Sequence, residues 1–171
     1  MKYGLDIKSD FLREKIGKAL SEEGHTIISM DKLEYYNKGD LLVKKVLLAN
    51  QTRVDFYIKL DISEDVENRL IFYGDRSVKS LELYQSLHEQ KEIFNSEDIK
   101  YIEGLNYYLI KNIKGSVAFL DIHLKELELE KIADYVIKAL LSLKDSWCIK
   151  VRSETTDLGL KLANIVFFRF W

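Results

Sequence analysis

The pattern of apolar and polar residues switches several times between the period of a strand and the period of a helix. Strands show alternating or continuous apolar runs, whereas amphipathic helices repeat their apolar residues at helical spacing. Helices are predicted from Ser9 or Asp10 to Gly24 and over residues 40–51, 77–94 and 126–143. Strands are predicted over residues 2–7, 25–30, 54–60, 68–74, 107–111 and 117–123. Because strands alternate with helices, we expect a single α/β domain with a mostly parallel, twisted sheet of about five or six strands and helices on both faces.

The composition is that of a domain that folds by itself and carries little net charge. The 171 residues are 47% hydrophobic, which is sufficient for a substantial core. Since 26 Lys and Arg residues nearly balance 28 Asp and Glu residues, we expect no nucleic-acid partner. Charged residues interrupt the first ten positions, and no long apolar run follows. We therefore expect a cytoplasmic protein that does not insert into a membrane.

The end of the chain differs from the rest. Residues 1–145 form the predicted α/β domain, and residues 146–171 form an aromatic extension in which positions 147–152 alternate like a strand. The extension closes with four large aromatic residues, Phe167, Phe168, Phe170 and Trp171. A large exposed apolar surface usually marks an interface, so these residues are predicted to pack on the domain or at a homo-oligomer interface.

Three segments, in this order, resemble a known enzyme family. They are VLLANQTRVDFYIKLD at 46–61, LIFYG at 70–74 followed by the helix from Ser77, and YLIKNIKGSVAFLD at 108–121. They are similar to the catalytic domain of the zinc-dependent N-acetylmuramoyl-L-alanine amidases of bacterial autolysins and phage endolysins. The resemblance extends over about residues 1–143. It implies an α/β amidase fold and a link to peptidoglycan.

The resemblance also implies where the family's functional residues should lie. The family holds zinc with two histidines and a glutamate, and a further glutamate acts as the base. Here the loop that carries the first histidine is missing, and Glu14 lies close to the position of the ligand glutamate. Asp61 replaces the second histidine, and Asp121 replaces the catalytic glutamate. The resemblance therefore implies a catalytically inactive relative without zinc, because catalytic groups must be placed within fractions of an ångström.

Two interpretations of these polar residues remain open. Asp121 and His123 share one face of a strand, and with Asp61 and Glu14 they could form an altered metal site, with zinc as the candidate ion. Alternatively, they are solvated or paired with basic residues such as Lys59, Lys125 or Arg53. The second interpretation predicts a binding, assembly or structural module for peptidoglycan fragments or a protein partner. The first predicts an active metal-dependent peptidoglycan amidase.

Aromatic residues recur in the predicted strands and allow two interpretations as well. They could form a platform on which sugars stack, but at strand periodicity core and edge packing is the favoured interpretation. The residues concerned are Phe56, Tyr57, Phe72, Tyr73, Tyr107, Tyr108 and Phe119.

Overall fold

The computed structural model describes residues 1–65, 68–90, 99–125 and 128–156, with the side chains of the last helix described as far as Leu143. Strands and helices alternate along most of this length, as the sequence pattern predicts. The strands are β1 (Lys2–Ile7), β2 (Thr26–Ser29), β3 (Phe56–Glu64), β4 (Arg69–Gly74), β5 (Ile99–Glu103) and β6 (Ser116–Leu124). The helices are α1 (Asp10–Glu22), α2 (Lys38–Gln51), α3 (Val78–Glu89), α4 (Tyr108–Asn112) and α5 (Leu129–Thr156).

The six strands form one mixed sheet in the order β2-β1-β3-β6-β4-β5. The four strands β2, β1, β3 and β6 run parallel to one another. β4 pairs with β6 in the antiparallel sense, and β5 pairs with β4 in the parallel sense. The predicted fold class, an α/β domain with a mostly parallel sheet of about five or six strands, is confirmed.

Helices cover both faces of this sheet, because successive side chains of a strand point to opposite faces. One face packs against α1, α3 and α5, with residues such as Phe56, Ile58 and Leu60 of β3 in its core. The other face packs against α2 and α4, with Tyr57 of β3 and Phe119 of β6 in its core. The prediction of helices on both faces is confirmed.

The predicted ends of α1 are confirmed by its caps. The Ser9 side chain accepts a hydrogen bond from the Leu12 amide at 3.4 Å, so it satisfies one free donor of the first turn. Gly24 follows the helix with φ of 79°, a left-handed conformation that glycine adopts without a steric penalty.

Two predictions in the third quarter of the chain are wrong. Residues 107–111 do not form a strand, since α4 occupies this stretch and buries Leu109 and Ile110 side by side. A short apolar run is compatible with a strand or a helix. Here it forms a helix whose Leu109 and Ile110 side chains pack in the core with α2. The sheet edge is instead formed by β5, in a stretch where no strand is predicted. Only the alternation of Ile99 and Tyr101 signals it.

The prediction of a strand at residues 147–152 is also wrong, because α5 continues to Thr156. Extending a formed helix fixes one residue per hydrogen bond, whereas a new strand needs a partner. The aromatic residues Phe167, Phe168, Phe170 and Trp171 lie outside the described residues. Within the described residues, no helix is both long and apolar enough to cross a membrane.

Candidate functional site

Asp61, Asp121 and His123 lie on the α2 and α4 face, where β3 and β6 end. The two strands pair in register, so Lys59 lies opposite Phe119, Asp61 opposite Asp121, and Ser63 opposite His123. A cleft of about 300 Å³ opens above these rows. It is lined by Leu42, Lys59, Asp61, Tyr73, Tyr107, Tyr108, Leu109, Phe119, Leu120 and Asp121.

The floor of the cleft carries a network of charges centred on Asp61. Lys59, two positions earlier on β3, forms an ion pair with one carboxylate oxygen of Asp61. Lys8, which follows β1, lies 3.4 Å from the other oxygen. The Lys59 ammonium also lies 5.6 Å from the centre of the Phe119 ring, a favourable cation–π position. Asp61 is therefore held by two ammonium groups.

Asp121 has a different neighbour. Its Oδ2 lies 3.2 Å from Nε2 of His123, which projects from the same face of β6. The other ring nitrogen, Nδ1, lies 2.8 Å from the Ser63 hydroxyl and 3.5 Å from Oδ2 of Asp65. Both ring nitrogens of His123 therefore have polar partners.

A buried ion pair supports the floor from the side of β1. Nζ of Lys45, from α2, donates to Oδ1 of Asp6 at 2.6 Å, and the Tyr57 hydroxyl donates to Oδ2 at 2.7 Å. Asp6 is 4% exposed and Lys45 is 8% exposed. Because both carboxylate oxygens are satisfied, the charge of Asp6 is tolerated inside the protein.

Burial shifts the titration of two groups in the cleft. Burial lowers the pKa of the Lys59 ammonium, with Lys8 and Lys45 acting in the same direction while Asp6 and Asp121 oppose it. Burial also raises the pKa of the Tyr73 hydroxyl, and its contact with Tyr107 adds to this effect.

Four aromatic rings form the wall of the cleft between β4, β6 and α4. The Tyr107 ring meets the rings of Tyr73 and Phe119 edge to face, with centroids 5.2 and 5.9 Å apart. Tyr108 is 44% exposed at the mouth. Core packing is thus correct for Phe56, Phe72 and also Phe119, which is 8% exposed, whereas Tyr107 and Tyr108 leave ring surface open at the mouth of the cleft.

The structure brings together three of the four residues considered for a metal site. Asp61, Asp121 and His123 are neighbours on one face of the sheet. Glu14 is exposed on α1, which packs on the opposite face. The expected pairing of Asp61 with Lys59 is found. Sequence reasoning missed Lys45, although an aspartate inside the buried strand β1 signals a basic partner.

These residues do not fit a zinc ion as the amidase family holds it. Among the described residues, no group of three His, Cys, Asp or Glu side chains is placed to hold a metal ion. The Asp61 carboxylate is ion-paired with two lysine ammonium groups, and both ring nitrogens of His123 contact polar side chains. A zinc site needs free donors that converge on one point.

No protein-family model matches the chain, and no curated protein matches it. Solved structures do resemble it. The catalytic domain of the CD27L endolysin, which targets Clostridia difficile, has 16% sequence identity and a TM-score of 0.64, and the match covers 83% of this chain and 97% of that domain. For CwlV, an N-acetylmuramoyl-L-alanine amidase of Bacillus (Paenibacillus) polymyxa var. colistinus, identity is 11%, TM-score 0.63, and coverage 85% and 99%.

A third similar structure is the CwlD amidase of Clostridioides difficile in complex with the GerS lipoprotein. It is 11% identical, with a TM-score of 0.69 and coverage of 85% of this chain and 98% of that one. At such identities the comparisons establish the fold, and the resemblance drawn from the sequence is confirmed at that level. The chain has the fold of the N-acetylmuramoyl-L-alanine amidase catalytic domains.

Proposed function

We propose that this protein is a catalytically inactive module with an amidase fold, which binds peptidoglycan fragments in the aromatic cleft. The observation that carries the proposal is the position of Lys59, whose ammonium group is paired with Asp61 in the floor of the cleft. A cation thus lies against Asp61, the residue at which the resemblance places a metal ligand.

The first supporting argument is electrostatic. A divalent ion bound by Asp61 must displace Lys59 and also approach Lys8. Two unit charges 4 Å apart interact with about 4 kcal/mol at an effective dielectric constant of about 20, so a divalent ion and an ammonium group repel each other by about 8 kcal/mol. The lysines therefore oppose a metal at this carboxylate.

The second argument concerns the base. Asp121 stands at the position of the family's catalytic glutamate, and its carboxylate is in contact with His123. A general base must lie within hydrogen-bond reach of the proton that it takes. Asp121 has a shorter side chain than glutamate and is turned towards a neighbour on its own strand, so it is poorly placed for that role.

The cleft itself remains suited to a ligand. Its volume of about 300 Å³ and its aromatic wall are typical of small-molecule sites, with Lys59 and Asp121 as polar groups that could orient a ligand. CwlV is named for N-acetylmuramoyl-L-alanine, which makes this compound the first ligand to test.

Metal analysis tests the loss of catalysis. Wild-type protein purified without chelator should retain well under one equivalent of zinc per chain and should release no peptides from purified cell walls. Lys59→Met should increase zinc binding, because it frees the Asp61 carboxylate, whereas Lys100→Met on β5 should not. One equivalent of zinc in the wild-type protein that Asp121→Ala loses would overturn the argument.

A second candidate function is the altered metal-dependent amidase. The observation in its favour is that Asp61, Asp121 and His123 lie together at the ends of two neighbouring strands. Peptide release that requires both a metal ion and Asp121 would establish this function and refute the inactive module.

Ligand titration tests the binding role. N-acetylmuramoyl-L-alanine should shift backbone amide signals around Tyr108 and Phe119 in NMR spectra. Tyr108→Ala should weaken this binding about fivefold, since one aromatic contact contributes about 1 kcal/mol. Tyr36→Ala is the matched control, because Tyr36 is 96% exposed and does not line the cleft. Equal effects of the two variants, or no shifts at all, would contradict a ligand site in the cleft.

A further inference from the structure

A second pocket lies at the opposite ends of the same strands, where β3 and β6 begin. It has a volume of about 370 Å³ and is bounded by the end of α2, the turns that precede β3 and β6, and the first turn of α3. Its lining residues are Ala49, Asn50, Arg53, Val54, Asp55, Lys79, Lys114, Gly115 and Ser116. Three of them are basic, although the chain as a whole has a net charge of −2.

The two turns that carry Arg53 and Lys114 are fixed to each other. The Asn50 side chain donates to the carbonyl oxygen of Asn112 at 2.9 Å and accepts from the Lys114 amide at 2.8 Å. Gly115 lies so close to the Val54 carbonyl oxygen that a Cβ atom would overlap it. The backbone positions from which Arg53 and Lys114 project are therefore set by the fold and not by a flexible loop.

The third cation is tied to the same place through Asp75. One oxygen of Asp75 accepts from the Ser77 amide at 2.9 Å, and the other accepts from the Val117 amide at 2.8 Å. This links the start of α3 to the start of β6 and positions Lys79 at the edge of the pocket. Each oxygen of Asp75 thus accepts from a backbone amide.

The charges in the pocket do not balance. None of its three basic side chains is ion-paired within the described residues. Among the described residues that line the pocket, only Asp55 is acidic, and its Oδ2 accepts from the Lys2 amide at 2.7 Å. Three positive charges in the lining face one negative charge, and just outside it Asp75 and Lys2 add one charge of each sign, so two positive charges are uncompensated. A phosphate monoester carries about −1.5 to −2 at pH 7. A carboxylate carries only one negative charge.

We infer that this pocket binds a phosphate group through Arg53, Lys79 and Lys114, with the Ser116 hydroxyl as a further polar contact. The ligand is free inorganic phosphate or a small phosphate monoester. This site is independent of the aromatic cleft, which lies at the other ends of the same strands.

Titration at low ionic strength tests the site, with inorganic phosphate, methyl phosphate and acetate as probes. Phosphate should shift the backbone amide signals of Gly115 and Ser116 in NMR spectra without moving those of the aromatic cleft. If methyl phosphate binds as well as phosphate, the site accepts a monoester, and if only phosphate binds, the site accepts the free anion alone. Acetate binding as tightly as phosphate would overturn the inference.

Two triple variants separate a specific site from the general field of the protein. The pocket variant combines Arg53→Asn, Lys79→Gln and Lys114→Gln, and the control combines Lys32→Gln, Lys38→Gln and Lys100→Gln. Both lose three positive charges, and asparagine tolerates the left-handed backbone at position 53, where φ is 53°. The pocket variant should bind phosphate at least about tenfold more weakly, and the control should be unchanged.

Equal weakening in the two triple variants, or no phosphate-dependent shifts in the wild-type protein, would refute the site. Thermal unfolding of both variants should match that of the wild type, since Arg53 and Lys114 are exposed and Lys79 is only partly buried. If the pocket variant does not fold, the single substitution Lys114→Gln serves instead, with an expected loss of about threefold against Lys100→Gln.

Discussion

Replacement of Lys45 by methionine removes the partner of a buried carboxylate beneath the cleft. In the folded protein, Lys45 and Asp6 are 2.6 Å apart and both are almost completely buried. Methionine keeps most of the length of the lysine side chain and remains compatible with the core around α2. The substitution therefore changes charge far more than volume.

The magnitude follows from what is left behind. Removal of one member of a buried ion pair leaves an uncompensated charge and typically lowers the free energy of unfolding by about 3–5 kcal/mol. The Tyr57 hydroxyl still donates to Asp6, so we expect a value near the lower limit, about 3 kcal/mol. With a urea dependence of about 2 kcal/mol per M, the unfolding midpoint should fall by about 1.5 M.

Urea unfolding monitored by circular dichroism at neutral pH measures this change. Lys44→Met is the matched control, because Lys44 is the adjacent residue on α2 and pairs with Asp40 at a far more exposed position. An exposed pair of this kind contributes about 0.3–0.5 kcal/mol. The double variant Asp6→Asn, Lys45→Met should recover at least half of the lost stability, since it removes the buried charge and keeps an acceptor for Tyr57.

A loss below about 1 kcal/mol in Lys45→Met would refute the reasoning, since it would mean that Asp6 is solvated or protonated when its partner is absent. Failure of the double variant to recover stability would refute the assignment of the loss to the buried charge.

Two further predictions concern titration and packing. In NMR titrations of the lysine side chains, Lys59 should lose its proton at lower pH than the exposed lysines, and Lys8→Ala should raise the pKa of Lys59 because one repelling cation is removed. Since the unfolded chain then binds more protons than the folded one, the contribution of Lys59 to stability should rise with pH between its folded pKa and the ordinary lysine value, and Lys59→Met should abolish this rise. Gly115→Ala should lower the free energy of unfolding by about 1–3 kcal/mol, because a methyl group overlaps the Val54 carbonyl oxygen, whereas Gly39→Ala in the first turn of α2 should have a smaller effect. Urea unfolding of both glycine variants checks this, and equal losses would contradict it.

The sequence by itself determined most of the elements and which of their faces are buried. Ser9 and Gly24 specify the two ends of α1 through local hydrogen bonding and backbone preference, which do not depend on distant residues. Alternation in β3 and β6 likewise places Asp61 and Asp121 on the face opposite the one that carries Leu60 and Leu120. Such features are local, so they can be inferred from neighbouring positions.

The tertiary structure decided what local periodicity leaves open. Residues 107–111 are apolar enough for either a strand or a helix. They form a helix because Leu109 and Ile110 can then both pack in the core beneath α2. The antiparallel direction of β4 has no local signal, because strand direction depends on how the connections run.

Both candidate sites also depend on strand order. The pairing of β3 with β6 places Asp61 beside Asp121, and it brings the turn of Arg53 against the turn of Lys114. These residues are far apart in sequence, so their contact energies exist only after the chain has closed the long loops between them. The sequence therefore determines which charged residues the chain contains, and the fold determines which of them meet at each end of β3 and β6.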